Sequence, residues 1–227
     1  MRDRGARPRA RNCHGKMPHR LRQPFGVPHH RLILEQFTGP QEFGDILEGD
    51  SRREADFGPL LSRFSAPLGS FAVTGNHEYY AGIEESVRIL EGAGFTVLRD
   101  RAVEVRPGLV LAGVDDLTAR RQFGRDGDPL KRALEGRPPG ATILLSHTPW
   151  EAEEAARTGV SLMLSGHTHA GQIWPFGYFA GIRYPLLEGR YDVGGMPVLV
   201  CRGTGTWGPR MRLFRPSELL LVTLRAG

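Results

Sequence analysis

The sequence has few cysteines and no long apolar run. Its two cysteines are far apart, with Cys13 in an Arg-rich segment and Cys201 at the end of the apolar run Val198-Leu199-Val200-Cys201. Such a pair does not indicate the disulfide framework of a small secreted domain. No apolar stretch reaches the length of about 18 residues that crosses a bilayer, and the first residues lack the apolar centre of a signal peptide. We therefore predict a cytoplasmic location for the chain as given.

Positive charge is concentrated near the N-terminus. The formal net charge is +5, but residues 1–40 hold nine Lys or Arg against two acidic residues, which leaves −2 for residues 41–227. A near-neutral body lacks the basic footprint of a nucleic-acid-binding domain. We predict a basic, disordered leader at residues 1–42, because it has little apolar surface to bury, and one folded domain at residues 43–227.

The folded part has the pattern of an α/β domain. Short apolar runs alternate with stretches of helical period and are separated by Gly, Pro, Asn and Asp. The pattern predicts strands at 71–74, 109–114, 142–146, 161–165, 197–201 and 219–224. It predicts helices at 53–64, 83–92, 129–134 and 149–157.

Polar clusters follow three of these predicted strands. They are Gly75-Asn76-His77-Glu78, Ser146-His147-Thr148-Pro149 and Gly166-His167-Thr168-His169. Open α/β sheets bind their ligands at the carboxyl ends of strands, so we expect the three clusters to meet at one site.

The side chains in these clusters, together with Asp45, suit a divalent metal ion. Imidazole, carboxylate and amide oxygen are ligands for Zn, Fe or Mn, and a carboxylate can bridge two ions about 3.5–4 Å apart. Each residue alone has a simpler explanation. A single histidine is more often structural, Asn76 can be a turn residue, Asp45 a helix N-cap, and Glu78 can favour the start of a helix. Their joint occurrence favours the metal site.

Four segments occur in the order and approximate spacing of the calcineurin-like metallophosphoesterases. They are Gly44-Asp45-Ile46-Leu47-Glu48-Gly49, Gly75-Asn76-His77-Glu78, Ser146-His147-Thr148-Pro149 and Gly166-His167-Thr168-His169-Ala170-Gly171-Gln172. The sequence most resembles the bacterial YkuE-like branch, to which the tail at 202–209 is also similar. The resemblance covers about residues 43–225. It implies a four-layer α/β/β/α sandwich in which two mixed sheets face each other between helices.

The resemblance also implies a set of metal ligands. Asp45 corresponds to the bridging carboxylate of the family. Asn76, His147 and His167 complete one metal position, and His169 belongs to the other. The family binds two divalent ions, which we expect to be Mn, Fe or Zn.

Two further residues are expected to act on the substrate. His77 resembles the family histidine that faces the phosphoryl group and protonates the leaving oxygen, with Asn76 beside it at the reaction centre. Arg202 could bind a substrate phosphate through its guanidinium group, as could Arg210 or Arg212, although a solvated surface arginine is the commoner case. The resemblance implies hydrolysis of a phosphomonoester or phosphodiester by a metal-activated water.

The N-terminal part of the family pattern is not found in this sequence. The family opens with an apolar strand ending in Asp-x-His and a second strand leading into Gly-Asp, but no Asp-x-His precedes Gly44 and Gly39-Pro40 interrupts the second strand. These strands are missing or scrambled, so the second metal position keeps only Asp45 and His169. We expect one bound ion and impaired activity. Replacement ligands from Cys13, His14, His19, His29 or His30 are an alternative, and a wrong start or shifted reading frame would explain the leader.

We predict a metal-dependent phosphoester hydrolase with a phosphoester substrate, no specific nucleic acid and no obligate protein partner. YkuE-like relatives imply membrane association, peripheral or integral, for an intact parent protein. Two rival hypotheses are an inactive remnant that binds one ion or none, and a protein whose basic leader binds nucleic acid or anionic lipid.

Overall fold

A computed structural model describes residues 30–34, 58–124 and 127–224. The strands are β1 His30–Leu34, β2 Ser70–Ala72, β3 Phe95–Val97, β4 Arg101–Arg106, β5 Leu109–Gly113, β6 Ala141–Leu145, β7 Leu162–Ser165, β8 Gly189–Val193, β9 Met196–Val200 and β10 Leu220–Leu224. The helices are α1 Gly58–Leu61, α2 Asn76–Ala81, α3 Ile83–Gly92, α4 Leu117–Gln122, α5 Pro129–Leu134, α6 Ala152–Arg157 and α7 Phe176–Arg183, with a 3₁₀ turn at His169–Gly171.

The largest sheet has six strands in the order β4-β5-β6-β7-β9-β8. The four inner strands β5, β6, β7 and β9 are parallel, and the edge strands β4 and β8 are antiparallel to their neighbours. Helices α4 and α5 connect β5 to β6, and α6 connects β6 to β7, as parallel neighbours require. The carboxyl ends of β5, β6, β7 and β9 therefore lie along one edge of the sheet.

Alternate side chains of this sheet face two different cores. Leu144, Met163 and Val198 pack with residues of α5 and α6 on one face. Leu111 and Ile143, which are paired across β5 and β6, point to the opposite face. This alternation follows from the two-residue period of a strand, and it explains why the inner strands are largely apolar on both faces.

The opposite face is covered by two smaller sheets. Strand β2 pairs with β3 in parallel, and β1 pairs with β10 antiparallel. Phe71 and Val222 from these strands enter the core shared with the large sheet. On the far side of β2 and β3, Phe95 and Val97 pack with Leu90 of α3. The layers are thus helix, sheet, sheet and helix, which confirms the predicted α/β fold class, although the second β layer consists of two separate pairs.

The predicted inner strands and the helices at 83–92 and 129–134 are confirmed. The helix predicted at 149–157 begins at Ala152, and the helix predicted at 53–64 is seen only as Gly58–Leu61, since residues 53–57 lie outside the described part. The sequence pattern missed β3, β4, β8, α2, α4 and α7. None of the described helices is long and apolar enough to cross a bilayer.

The structure describes one segment of the predicted leader. Residues His30–Leu34 form a strand whose register with β10 runs from His30 opposite Leu224 to Leu34 opposite Leu220. The backbone of residues 32–34 therefore pairs with the edge of β10. The composition of the leader alone does not predict this pairing. Residues 1–29 and 35–57 lie outside the described part, so the boundary between residues 42 and 43 stays a prediction.

The close contact between β5 and the β2 layer gives a stability prediction. A Cβ atom at Gly113 would lie 2.4 Å from Leu98 Cβ and 2.7 Å from Val73 Cγ1. We expect Gly113→Ala to lower the free energy of unfolding by at least about 2 kcal/mol, because both neighbours are held in the core. Urea unfolding measures the change. The control is Gly92→Ala, which enters open space at the end of α3 and should be neutral or stabilising by up to about 1 kcal/mol. Equal effects of the two substitutions would contradict the prediction.

The acid after β5 gives a pH prediction. Asp116 caps α4 by accepting a 2.7 Å hydrogen bond from the Ala119 amide, and its other carboxylate oxygen is buried without a partner among the described residues. Burial raises the pKa of Asp116 from 3.8 to about 7. Between these values the folded protein retains a proton that the unfolded chain has lost, so ionisation of Asp116 lowers stability as pH rises.

Asp116→Asn keeps the cap and removes the ionisation. We therefore expect the unfolding free energy of the variant, relative to the unsubstituted protein, to grow from about pH 4 to pH 7 by up to about 1.4 kcal/mol per pH unit and then level off. Chemical denaturation at several pH values measures this difference. A difference in unfolding free energy that did not change with pH would show that folding does not raise the pKa of Asp116.

Candidate metal centre

Three loops that leave strands bring the predicted ligands together. Asn76 is the first residue of α2, shortly after β2, while His147 follows β6 and His167 follows β7. Because β6 and β7 are parallel neighbours, the loops after them leave the sheet at the same edge. The sequence prediction that these clusters meet is confirmed for Asn76, His147 and His167.

Two of their donor atoms contact the same ring nitrogen. His147 Nε2 lies 3.1 Å from Asn76 Oδ1 and 2.9 Å from His167 Nδ1. A ring nitrogen carries at most one hydrogen, so His147 Nε2 cannot satisfy the lone pairs of both neighbours by hydrogen bonding. A cation bound beside these atoms would accept the lone pairs that hydrogen bonding leaves unsatisfied.

Burial keeps His147 and His167 in the neutral form that binds metals. It lowers the pKa of His147 well below its ordinary value and that of His167 to about 4, with the neighbouring histidines and Arg183 adding to the effect. Both rings are neutral at pH 7, the form in which imidazole binds metals. His147 Nδ1 is also buried without a partner among the described residues, so the ring is under-satisfied in either neutral tautomer.

The donor set fits a borderline divalent ion but is incomplete. Within the described ranges, no group of three or more His, Cys, Asp or Glu side chains could hold a metal ion. Two imidazoles and the Asn76 amide oxygen make three donors, which suit Zn, Fe or Mn. Asp45, the fourth predicted ligand, lies outside the described residues.

The loop from Gly166 to Gln172 is bent into sparsely populated backbone conformations. His167, His169, Ala170 and Gln172 all have φ between 48° and 66°. Such conformations cost of order 1–3 kcal/mol each for residues other than glycine, and they cluster at functional sites. The bend turns the imidazole of His167 toward His147, which an extended continuation of β7 would not do.

Tyr184 supports His167 from behind, and the sequence analysis missed it. Its hydroxyl lies 2.7 Å from His167 Nε2. The Tyr184 ring stacks on Trp150 at 5.9 Å, and the guanidinium of Arg183 lies 4.3 Å from the Trp150 ring centre. If the Tyr184 oxygen accepts the Nε2 proton, His167 Nδ1 presents its lone pair to the cluster. Nothing in the local sequence Arg183-Tyr184-Pro185 marks this role.

His169 contacts an arginine of the C-terminal segment. Its Nδ1 is 3.2 Å from Nη2 of Arg212, which also donates to the backbone oxygen of Arg202 at 3.0 Å. The same Nη2 atom lies beside the carbonyl oxygens of Gly203 and Gly205. Burial and the Arg212 cation lower the pKa of His169 to about 3.

The other predicted site residues occupy different positions. His77 lines a cavity with Asn76 and His167, and burial lowers its pKa to about 4. Glu78 accepts a 2.7 Å hydrogen bond from the Gly75 amide, which confirms that it favours the start of α2. Arg202 does not line the cavity.

Arg202 is held by two carboxylates. Its guanidinium lies 3.6 Å from Glu188 and 3.2 Å from Glu218. Arg212, by contrast, contacts a predicted metal-site histidine, His169. The sequence favoured Arg202 as the best placed of the three arginines, because contacts between distant segments such as Arg212 and His169 are not visible in it.

The cavity beside the cluster has a volume of about 400 Å³. Asn76, His77, His167 and His169 line one end of it. Residues of α7 and the loop around Trp207 line the remainder. A ligand in this cavity would therefore reach the donor cluster.

Comparison with known proteins agrees with this arrangement. A family model described as calcineurin-like phosphoesterase matches residues 43–171. An uncharacterized metallophosphoesterase of Aquifex aeolicus is 38% identical over 195 residues, covering 80% of this chain and 70% of that protein. The transmembrane protein with metallophosphoesterase domain of Danio rerio is 36% identical, covering 80% of this chain and 44% of that protein. The uncharacterized metallophosphoesterase YkuE of Bacillus subtilis is 32% identical, covering 74% and 60%.

The position of Tyr184 gives a testable prediction. Tyr184→Phe removes the hydroxyl beside His167 Nε2 and keeps the stacked ring. We expect the affinity for Mn²⁺ to fall about 10- to 100-fold, the usual effect of losing a group that orients a metal-binding histidine. Calorimetric titration with Mn²⁺ measures the affinity. The control is Tyr178→Phe on α7, whose residue is 68% exposed and does not line the cavity. An unchanged affinity in the Tyr184 variant would exclude this supporting role.

Proposed function

The chain belongs to the calcineurin-like phosphoesterases, and we propose that it hydrolyses a phosphoester bond at the cluster of Asn76, His147 and His167. Members of this family are metal-dependent phosphoester hydrolases. The observation that supports the proposal most is that His147 Nε2 contacts donor atoms of Asn76 and His167, which come from two other loops. A purely structural histidine pair would not need the buried amide of Asn76 as well.

We propose that these three residues and Asp45 hold a divalent ion, which would be Mn, Fe or Zn. A bound ion would polarise the phosphoryl group and lower the pKa of the attacking water. A second ion would require Asp45 as a bridge together with His169. The Nδ1 atom of His169 lies 3.2 Å from the cationic guanidinium of Arg212, and a second positive charge beside this ring is unfavourable. We therefore propose one well-held ion in this chain.

His77 is the proposed proton donor to the leaving oxygen. It lines the same cavity as the cluster, and burial keeps it neutral at pH 7 in the free protein. An anionic phosphoester beside the ring would favour the protonated form and raise the pKa of His77. In this proposal, the substrate itself brings the histidine into the form that can give up a proton.

Arg202 remains a proposed contact for the substrate phosphate. That role requires its guanidinium to leave Glu188 or Glu218, so the pairing gives it less support than Arg212 receives from its contact with His169. The proposed substrate is a phosphomonoester or a phosphodiester. Membrane association of an intact parent is proposed by analogy with relatives named transmembrane proteins.

Loss of a central ligand tests the proposal. We expect His147→Ala to lose most bound Mn²⁺, because it removes the ring that contacts both other donors. Hydrolysis of bis(p-nitrophenyl) phosphate with added Mn²⁺ should fall by at least about 100-fold, equivalent to about 2.7 kcal/mol of transition-state stabilisation. Metal content, hydrolysis rate and circular dichroism are measured on the same preparations.

The control for this experiment is His29→Ala, which alters one of the alternative ligands in the leader. It should leave both metal content and rate unchanged. If His147→Ala retained its metal while His29→Ala lost it, the metal site would have been assigned to the wrong residues.

A further inference from the structure

The cavity beside the donor cluster changes character along its length. The four residues at one end, Asn76, His77, His167 and His169, carry nitrogen and oxygen atoms suited to a phosphate and its ion. Six other lining residues, which we call the apolar end, are Ile173, Phe176, Phe179, Ala180, Pro209 and Trp207, of which only Trp207 has a polar side-chain atom, its indole nitrogen. At about 400 Å³ the cavity is within the range that holds a small molecule.

The polar side chains nearest the apolar end are already engaged. Gln172 donates to the backbone oxygens of Trp207 and Pro209, and its own oxygen accepts from the Trp207 amide. Thr168 donates to the Leu187 carbonyl and accepts from the Ala170 amide. Among the described residues that line the cavity, none is Asp, Glu, Lys or Arg.

This lining selects against polar groups on the ligand. The hydroxyls of a sugar or the edge of a base would lose their hydrogen bonds to water without gaining protein partners, at a cost of about 1–3 kcal/mol for each buried group. An aliphatic chain would gain from the same surroundings. The histidine end attracts a phosphate, whereas the rest of the cavity attracts hydrocarbon.

The helix that forms part of the apolar end lies close to the 3₁₀ turn and buries no side chain. No residue of α7 is buried, and Phe179 is 66% exposed. The backbones approach closely, because a Cβ atom at Gly171 would lie 2.3 Å from Gly177 at the first turn of α7. The aromatic rings of the helix are therefore available to a ligand. Exposed apolar patches of this kind mark binding sites in soluble domains.

We propose that the substrate is an amphiphilic phosphoester, with its phosphoryl group at the histidine end and an aliphatic chain along Phe176 and Phe179. This inference rests on the proposed phosphoesterase function and specifies its substrate class. In the reaction, the oxygen of water forms a bond to phosphorus, the ester P–O bond breaks, and the departing oxygen takes a proton. The aliphatic chain contributes to binding and does not enter the bond changes.

The test compares two phosphonates that cannot be hydrolysed, ethylphosphonate and octylphosphonate, used below the concentration at which the latter forms micelles. Calorimetry with Mn²⁺ present gives the affinity for each. We expect octylphosphonate to bind at least about ten-fold more tightly, since each fully buried methylene group contributes up to about four-fold. Phe179→Ser should reduce this ratio by at least about three-fold, and Phe176→Ser provides a second variant of the same wall.

The matched control is Ile182→Ser. Ile182 is on the same helix and 81% exposed, but it does not line the cavity, so this variant should keep the full ratio of affinities. Equal affinity for the two phosphonates, or no binding of either, would overturn the proposal. A ratio lowered equally by Ile182→Ser and Phe179→Ser would also overturn it, because the chain would then lie on the outer face of α7.

Hydrolysis of bis(p-nitrophenyl) phosphate by the same preparations separates the two proposals. Mn²⁺-dependent hydrolysis together with equal phosphonate affinities would reject the amphiphilic substrate and leave the phosphoesterase function intact. Preferential binding of octylphosphonate without any Mn²⁺-dependent hydrolysis would reject the function while the apolar cavity stands as a binding site.

Discussion

The parallel pairing of β6 with β7 is the constraint on which the candidate site depends. It places the loops after both strands at one edge of the sheet, and these loops carry His147 and His167. The two rings then approach to 2.9 Å between nitrogen atoms, a distance that neither loop could specify alone. Two further residues support this pair. Asn76 adds a third donor atom, and the Tyr184 hydroxyl contacts Nε2 of the His167 ring.

Burial has opposite consequences for the two kinds of ionisable group near this edge. It keeps the histidines neutral, as ligands for a cation must be, and it raises the pKa of Asp116, so that this carboxyl resists carrying a negative charge. Asp115, by contrast, is paired with Arg99 through a two-point contact. Two neighbouring carboxyl groups at this edge thus have different partners, a guanidinium for Asp115 and a backbone amide for Asp116.

Much of the fold could be predicted from sequence because its inner strands are largely apolar and two of them, β6 and β7, are followed by polar clusters. The elements that were missed lack such a signal. The edge strand β4 reads Arg101-Ala102-Val103-Glu104-Val105-Arg106, with charges at both ends and in the middle, and α7 has no polar face opposite an apolar one. For the site, the motif residues were found and their supports were not. Tyr184 reaches His167 across 17 residues of sequence, and Arg212 reaches His169 across 43, through contacts that exist only after folding.

Because Gly171 and Gly177 bring α7 close to the 3₁₀ turn through backbone atoms, the shape of the cavity can change with little effect on the stability of the protein. Because α7 is located by two glycines and buries no side chain, its other positions can change without creating voids in the core. Relatives could therefore alter the lining of the cavity through substitutions that cost little in folding, while the donor cluster across from it stays the same. In this fold the residues of α7 that would select a ligand can diverge between relatives, whereas the residues of the donor cluster that would act on it cannot.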